Sequence, residues 1–163
     1  MVTHVVVVTD RELLAGIEAS LQELRRRGVA RTSNAPTGDY AESLALKVLG
    51  GELASNSAKS YDLVTAAGDR IQVKARVIRN GSAGERQLSP FRSFDFEHAL
   101  IILFDSEYRV RRATMLPAAI VLAHSTDNAY INARRFIARD AVLDLGTDLT
   151  HLFQEDHTIT EAG

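Results

Sequence analysis

The fold of this chain is decided by residues 61–78, which are YDLVTAAGDRIQVKARVI. Two runs that are typical of strands, 61–66 and 70–78, flank a tight turn that contains a glycine. Apolar and polar residues alternate in the second run, so Gln72 and Lys74 point to the same face. We therefore predict a β-hairpin with one apolar face.

Two helices are predicted before this hairpin. Thr9 and Glu12 have the spacing of a capping box, and leucine or isoleucine then recurs every three or four residues until Gly28. A second helix is predicted from about residue 39 to residue 49, where a pair of glycines ends it. Both helices carry an apolar stripe and are expected to pack against a sheet.

The chain after the hairpin predicts further strands and helices. Residues 80–93 are typical of a loop, and the apolar run 99–104 is typical of a strand buried on both faces. The other predicted elements are a return strand at 108–115, a short helix from Pro117 to Ala123, a last strand at 134–138 and a final short helix around 147–153. Strands bracketed by helices indicate an α/β fold with a central mixed sheet that is covered on both faces.

Length and composition favour a single domain over 1–163. Within it we predict an N-terminal helix and linker at 1–36, a core at 37–138 and an acidic C-terminal segment at 139–163. The chain contains no Cys, which excludes thiolate nucleophiles and Cys-ligated metal sites. Its apolar runs are far shorter than the ~20 residues of a membrane helix. Because no signal-peptide pattern is present, we expect a cytoplasmic protein without a membrane partner.

The net charge of −2 hides an uneven distribution. Between Lys59 and Arg92, seven basic residues stand against three acidic ones, which gives a local charge of +4. From Asp140 to the end there are six acidic residues and no Lys or Arg. The net charge excludes a polycationic binder, whereas the basic stretch has the charge that a nucleic-acid site needs.

Four polar residues are expected to converge if the two strands pair through the turn. Glu42 lies on the second helix, Asp62 begins the first strand, and Gln72 and Lys74 lie on the second strand. Phosphodiester hydrolysis needs such groups, because carboxylates hold divalent ions that polarise the phosphoryl oxygen and lower the pKa of a water molecule. A lysine can orient that water or stabilise the charge that develops.

At these residues the chain resembles the PD-(D/E)xK superfamily of metal-dependent nucleases. That family has an acidic residue on its first core helix, an Asp at the head of one strand, and an acidic residue, a spacer and a Lys on the next strand. The chain has Glu42, then Asp62, then Gln72-Val73-Lys74, and the resemblance spans roughly residues 37–116.

The chain departs from the family pattern at two positions. Tyr61 stands where the family name has Pro, and Gln72 stands where the family has its second acidic residue. An amide oxygen can bind a divalent ion but brings no charge, so we expect Asp62 and Gln72 alone to hold Mg²⁺ weakly. Glu42 could supply the missing charge.

The resemblance implies a restriction-endonuclease-like fold, with three α/β/α layers around a mixed sheet of four to five strands. It implies that Asp62 is the central metal ligand, that Glu42, Gln72 and the Val73 carbonyl are further ligands, and that Lys74 is catalytic. The implied cofactor is Mg²⁺, with Mn²⁺ as a substitute. The implied activity is that of a type II restriction-like endonuclease, a homodimer that hydrolyses DNA phosphodiester bonds through attack by an activated water.

Each of these assignments has an alternative. Asp39 and Glu42 also fit a capping box, Gln72 and Lys74 also fit a solvated strand face, and Asp62 also fits a strand end. The loss of an acid at Gln72 suits a catalytically inactive domain that binds nucleic acid or protein. A third hypothesis is an unrelated α/β binding module.

Contacts to the DNA backbone are predicted from the basic stretch. We select Lys59, Arg76 and Arg92 because phosphate contacts supply much of the affinity for nucleic acid. The alternative for each of the three is an ordinary solvated surface charge.

Overall fold

The computed structural model of the protein describes residues 8–31, 35–55, 57 and 60–155. It is a mixed α/β structure, as predicted. The elements in chain order are α1 (Asp10–Arg26), α2 (Thr37–Leu49), β1 (Glu52–Leu53), β2 (Leu63–Val64), β3 (Arg70–Val77), β4 (His98–Phe104), β5 (Val110–Pro117), α3 (Ala118–Ala123), β6 (Thr126–Asn128), a 3₁₀ turn (Ala129–Ile131), β7 (Ala133–Arg135), α4 (Asp140–Leu143), β8 (Thr147–Asp148) and α5 (Thr150–Gln154).

Helix α1 begins at the predicted capping box. The backbone N–H of Thr9 donates to the Glu12 carboxylate at 2.8 Å, and the Thr9 hydroxyl accepts from the Glu12 N–H at 3.3 Å. Leu13 and Ile17 on the apolar stripe are each 57% exposed, whereas Leu21 and Leu24 are half-buried, so α1 buries less of this stripe than expected. Within the described ranges, no helix is both long enough and apolar enough to cross a membrane.

Helix α2 is confirmed and begins two residues earlier than predicted, at Thr37. It ends at Gly50, whose φ of 69° lies in the region that favours glycine. Its apolar stripe faces the sheet: Ala41, Leu44 and Ala45 are buried there, and Val48 is half-buried.

The central sheet has six strands in the order β1-β2-β3-β4-β5-β8. Only β3 and β4 are parallel, and every other neighbouring pair in this sheet is antiparallel. The prediction of four to five strands was too low, because two-residue strands extend the sheet at both edges. Such short strands carry no recognisable period in the sequence.

The predicted hairpin is confirmed as β2 and β3, with a first strand shorter than predicted. Leu63 lies opposite Ile71, and the N–H of Asp62 donates to the Ile71 carbonyl at 2.8 Å. Strand β2 therefore spans two residues, and Asp62 sits directly at its start, beside the middle of β3.

Strand β4 confirms the prediction of burial on both faces, since every residue from Ala99 to Phe104 is at most 2% exposed. Leu100, Ile102 and Phe104 pack in a core with α2 and α5, which contribute Leu44 and Phe153 among others. The alternate residues of β4 pack in a second core with Val121 of α3 and Leu143 of α4. Helices therefore cover both faces of the sheet.

Three predicted elements near the C-terminal side are corrected. The predicted strand 134–138 is reduced to β7, which pairs with β6 in a separate two-stranded sheet and forms one isolated bridge, from Arg134 to Phe91. The return strand starts at Val110 rather than at Tyr108, whose φ is 61°. The predicted final helix is split into β8 and α5, because the Asp148 carboxylate accepts from the Thr150 N–H at 2.9 Å and begins a new helix there.

Candidate functional site

Asp62 lies beside β3 and accepts two hydrogen bonds from it. Its Oδ2 accepts from Nε2 of Gln72 at 2.6 Å and from the backbone N–H of Val73 at 2.7 Å. Because the N–H and C=O of one strand residue point to the same edge, the Val73 carbonyl also lies on the Asp62 side of β3. The hairpin thus brings Asp62, Gln72 and Val73 together.

The carboxylate of Asp62 is destabilised by its surroundings. Burial raises its pKa, and the hydrogen bond from Val73 and the positive charge of Lys74 oppose that rise. Since burial disfavours a charged carboxylate, the position favours a bound cation or a proton. An ordinary strand-end Asp exposed to water would have no such preference.

Glu42 lies on α2, where its side chain is 20% exposed and close enough to Asp62 for the two charges to interact. Burial, together with the negative charges of Asp62 and Asp39, raises the pKa of Glu42 to about 7 against the opposing charges of Arg31 and Lys74. The capping-box alternative is wrong, because Pro36 precedes α2 and no side chain caps it. The Asp39 carboxylate instead accepts from the Arg31 N–H at 2.7 Å.

Lys74 is held by the loop that follows β3. Its Nζ donates to the Ser89 hydroxyl at 3.1 Å and to the Pro90 carbonyl at 3.2 Å, and lies 5.1 Å from the centre of the Phe91 ring. Burial lowers the pKa of Lys74, the charges of Asp62 and Glu42 oppose this, and the charge of Arg92 lowers it further. The ammonium is therefore within electrostatic reach of both carboxylates and not on an open solvated face.

Arg31 completes the site and was not predicted. Its guanidinium lies 3.5 Å from the Glu42 carboxylate and donates to the Ala54 carbonyl at 3.2 Å. The residues around Arg31 show no periodic pattern of hydrophobicity. The one signal for Arg31 in the sequence was a basic residue shortly before the helix that carries Glu42. The site thus pairs two carboxylates with two cationic side chains, Arg31 and Lys74.

The predicted backbone contacts have different positions. Arg92 is exposed and close enough to Lys74 to lower its pKa. Arg76 is exposed on the same face of β3 as Lys74, and its Nε donates to the Glu85 carbonyl at 3.1 Å. Lys59 lies outside the described residues.

Part of the basic stretch is neutralised by ion pairs. Arg70 pairs with Asp95 and Glu97 at 2.5 and 2.7 Å, and Arg86 pairs with Asp140 at 2.8 Å. The positive surface near the site is therefore smaller than the count from Lys59 to Arg92 implies, and it centres on Arg76 and Arg92.

The oxygen atoms at the site are ligands of the type that a hard cation prefers. Asp62, Glu42, the Gln72 amide and the Val73 carbonyl all offer oxygen, which is the ligand atom that Mg²⁺ and Mn²⁺ prefer. Among the described residues, no three His, Cys, Asp or Glu side chains are grouped to hold a metal. An ion here would therefore depend on two carboxylates supplemented by neutral oxygens.

Comparison with known proteins gives no family for this chain. No protein-family model matches it, and no curated protein matches it either. The resemblance to the PD-(D/E)xK nucleases therefore remains a prediction from the sequence motif.

We expect the metal-free protein to lose stability as the pH rises from about 4.5 to about 7, through Glu42. In this window the unfolded chain releases the Glu42 proton while the native state retains it, so a rising pH favours unfolding. The loss attributable to Glu42 should be at most about 3 kcal/mol. Urea unfolding at pH 5 and pH 8 measures it, and Glu42→Gln should show the smaller dependence.

The neutral variant isolates the Glu42 contribution, because all other titrating groups are shared with the wild type. Saturating Mg²⁺ should reduce the wild-type pH dependence toward that of Glu42→Gln, since a cation favours the ionised carboxylate. An identical pH dependence of the two metal-free proteins would contradict the raised pKa.

Proposed function

We propose that this protein is a metal-dependent endonuclease that hydrolyses DNA phosphodiester bonds. The observation that carries the proposal is the pair of hydrogen bonds by which Gln72 and Val73 of β3 contact Asp62 at the start of β2. These residues have the order and the element types of the PD-(D/E)xK motif. The restriction-endonuclease-like α/β/α fold and a location in the cytoplasm belong to the same proposal.

The oxygens of Asp62, Glu42, Gln72 and Val73 would hold the Mg²⁺ ion. When bound, the ion polarises the phosphoryl oxygen and lowers the pKa of the attacking water. Lys74 is placed by Ser89 and Pro90 to orient that water or to stabilise the negative charge that develops on the phosphate. Attack would form a bond from the water oxygen to phosphorus and break the bond from phosphorus to a sugar oxygen. The attacking water would lose a proton to solvent and the leaving sugar oxygen would take one up, so that one strand is cut.

DNA binding is proposed for the surface next to Lys74. Arg92 and Arg76 are exposed there and would contact phosphates on either side of the scissile bond. One such site cuts one strand, so cleavage of both strands of a duplex calls for a homodimer with two sites related by a two-fold axis.

Conversion of a supercoiled plasmid to nicked and linear DNA tests this function. The wild-type protein is expected to convert the plasmid with Mg²⁺ or Mn²⁺ and to leave it intact with EDTA. Circular dichroism checks that the protein is folded. If folded protein cuts the plasmid with neither ion, the nuclease proposal is wrong.

One observation favours an inactive nucleic-acid-binding domain as the second candidate. Nε2 of Gln72 donates to the Asp62 carboxylate at 2.6 Å, so this carboxylate has a hydrogen-bond donor without any bound ion. A second acidic residue at position 72 would instead repel Asp62 and draw a cation between them.

Gln72→Glu is therefore expected to bind Mg²⁺ at least about tenfold more tightly than the wild type, because it adds one carboxylate at the site. Isothermal titration measures the affinity, and the exposed Gln87→Glu is the matched control for added charge. If the wild type is the inactive domain, plasmid cleavage appears only in Gln72→Glu. Equal Mg²⁺ affinity in wild type and variant would contradict the ligand role of position 72.

A further inference from the structure

The β6–β7 hairpin carries an exposed aromatic residue at its tip. Tyr130 lies in the 3₁₀ turn that joins the two strands and is 97% exposed. Asn128 pairs with Ala133 at the end of the ladder, and Asn132 closes the turn with a φ of 47°. The tip therefore has a defined conformation, although its largest side chain contacts little of the protein.

This hairpin is tied to the loop that holds Lys74. Phe91 and Arg134 exchange two backbone hydrogen bonds, of 2.9 and 2.8 Å. The guanidinium of Arg134 is fixed at the base of the hairpin by Ser125, with 2.7 Å to its hydroxyl and 3.0 Å to its carbonyl. Since Phe91 also lies under the Lys74 ammonium, the hairpin has a fixed position relative to the candidate site.

A cavity of about 410 Å³ separates the hairpin from the segment 91–94. Phe91 and Phe94 line it, with ring centres 5.8 Å apart and planes 25° apart. The Phe91 ring is buried, so the half-buried Phe94 is the aromatic surface that the cavity presents. Asn128 and Asn132 line the hairpin side together with Asp127, whose carboxylate is paired with the Arg134 guanidinium, and Arg92 adds a further positive charge. The cavity therefore combines an aromatic surface, amide groups, an internal ion pair and a cation.

We propose that this cavity binds a nucleobase of the DNA strand, next to the phosphate at Lys74, and so gives the protein a base preference; this rests on the nuclease function proposed above. Aromatic rings stack on any base, and Asn side chains form hydrogen bonds with base edges. Arg92 contacts the phosphate of the same strand. Tyr130, flanked along the chain by residues of the hairpin wall, stacks on the neighbouring base.

Phe91 connects the two features. The Nζ of Lys74 lies 5.1 Å from the centre of the Phe91 ring, and the same residue lines the cavity. A base in the cavity and a phosphate at Lys74 would therefore belong to nearby nucleotides of one strand.

Fluorescence anisotropy with labelled dA12, dC12 and dT12 oligonucleotides, in EDTA, tests the inference. The wild type is expected to bind one of the three at least about fivefold more tightly, and Asn128→Ala to lose this difference. Tyr130→Ala should weaken binding of all three by about tenfold while Tyr130→Phe retains it, since stacking needs only the ring. Arg92→Ala should weaken all three equally and keep the preference.

Two outcomes overturn the inference: equal affinity of the wild type for all three oligonucleotides, and an unchanged preference in Asn128→Ala together with unchanged affinity in Tyr130→Ala. Tyr130 is so exposed that its replacement leaves the fold intact, so its result counts even if Asn128→Ala is unstable. Plasmid cleavage separates the two proposals. A wild type that cuts plasmid without a base preference overturns this inference alone, and one with a base preference that never cuts overturns the nuclease activity alone.

Discussion

Replacing Lys74 with Met is expected to lower metal-dependent DNA cleavage by about 10²–10³-fold. The Met side chain retains the apolar stem over the Phe91 ring but removes the ammonium that Ser89 and Pro90 hold. The positive charge that would stabilise the negative charge developing on the phosphate is then missing, whereas the packing against Phe91 is preserved. Initial rates of plasmid nicking in Mg²⁺ measure the loss.

Lys47→Met is the matched control, because Lys47 is exposed in the last turn of α2 and loses the same charge. Its cleavage rate should equal that of the wild type. Thermal unfolding should show Lys74→Met to be at least as stable as the wild type, since burial already disfavours the charged Lys74. A folded Lys74→Met that cuts within threefold of the wild type would rule out a catalytic role for the ammonium.

Asp62→Asn is expected to abolish detectable Mg²⁺ binding and to lower cleavage by at least about 10³-fold. The Asn oxygen can still accept from the Val73 N–H, so the contact between β2 and β3 persists. Only the charge is lost, and with it the central ligand of the proposed ion. Isothermal titration with Mg²⁺ and plasmid nicking measure the two effects.

Asp69→Asn provides the control, since Asp69 belongs to the turn of the same hairpin and its backbone N–H bonds to the Thr65 hydroxyl. This variant should bind Mg²⁺ and cut DNA as the wild type does. Retained Mg²⁺ affinity in a folded Asp62→Asn would mean that the ion, if any, is held elsewhere.

The strands that could be predicted from sequence are those with a pattern long enough to recognise. The alternation of β3 and the apolar run of β4 both gave the correct strands, with bounds within one residue. Strands of two or three residues, such as β1 and β8, are too short to show alternating hydrophobicity in the sequence. They form by pairing with the edge of a neighbouring strand. The predicted strand 134–138 contains Phe136 and Ala138, which are buried by the second core without joining a ladder.

The site was predictable as far as one hairpin determines it. Asp62, Gln72 and Lys74 meet because β2 and β3 pair through a local turn, and alternation decides which side chains share a face. Arg31 and the loop residues around Lys74 reach the site through contacts between residues far apart in the sequence. Such contacts leave no periodic pattern from which they could be predicted. Glu42 could not be separated from a cap until the start of α2 was known.

Strand β4 has hydrogen-bonded neighbours on both edges and side chains buried on both faces. Its amide protons can therefore exchange with deuterium only when the whole molecule opens, unlike those of the exposed helix α1. Ile101 of β4 lies directly opposite Lys74 in the parallel ladder. Among the described residues, we therefore expect slow exchange in the strand next to the proposed catalytic lysine, so that local opening elsewhere leaves the backbone beside Lys74 in place.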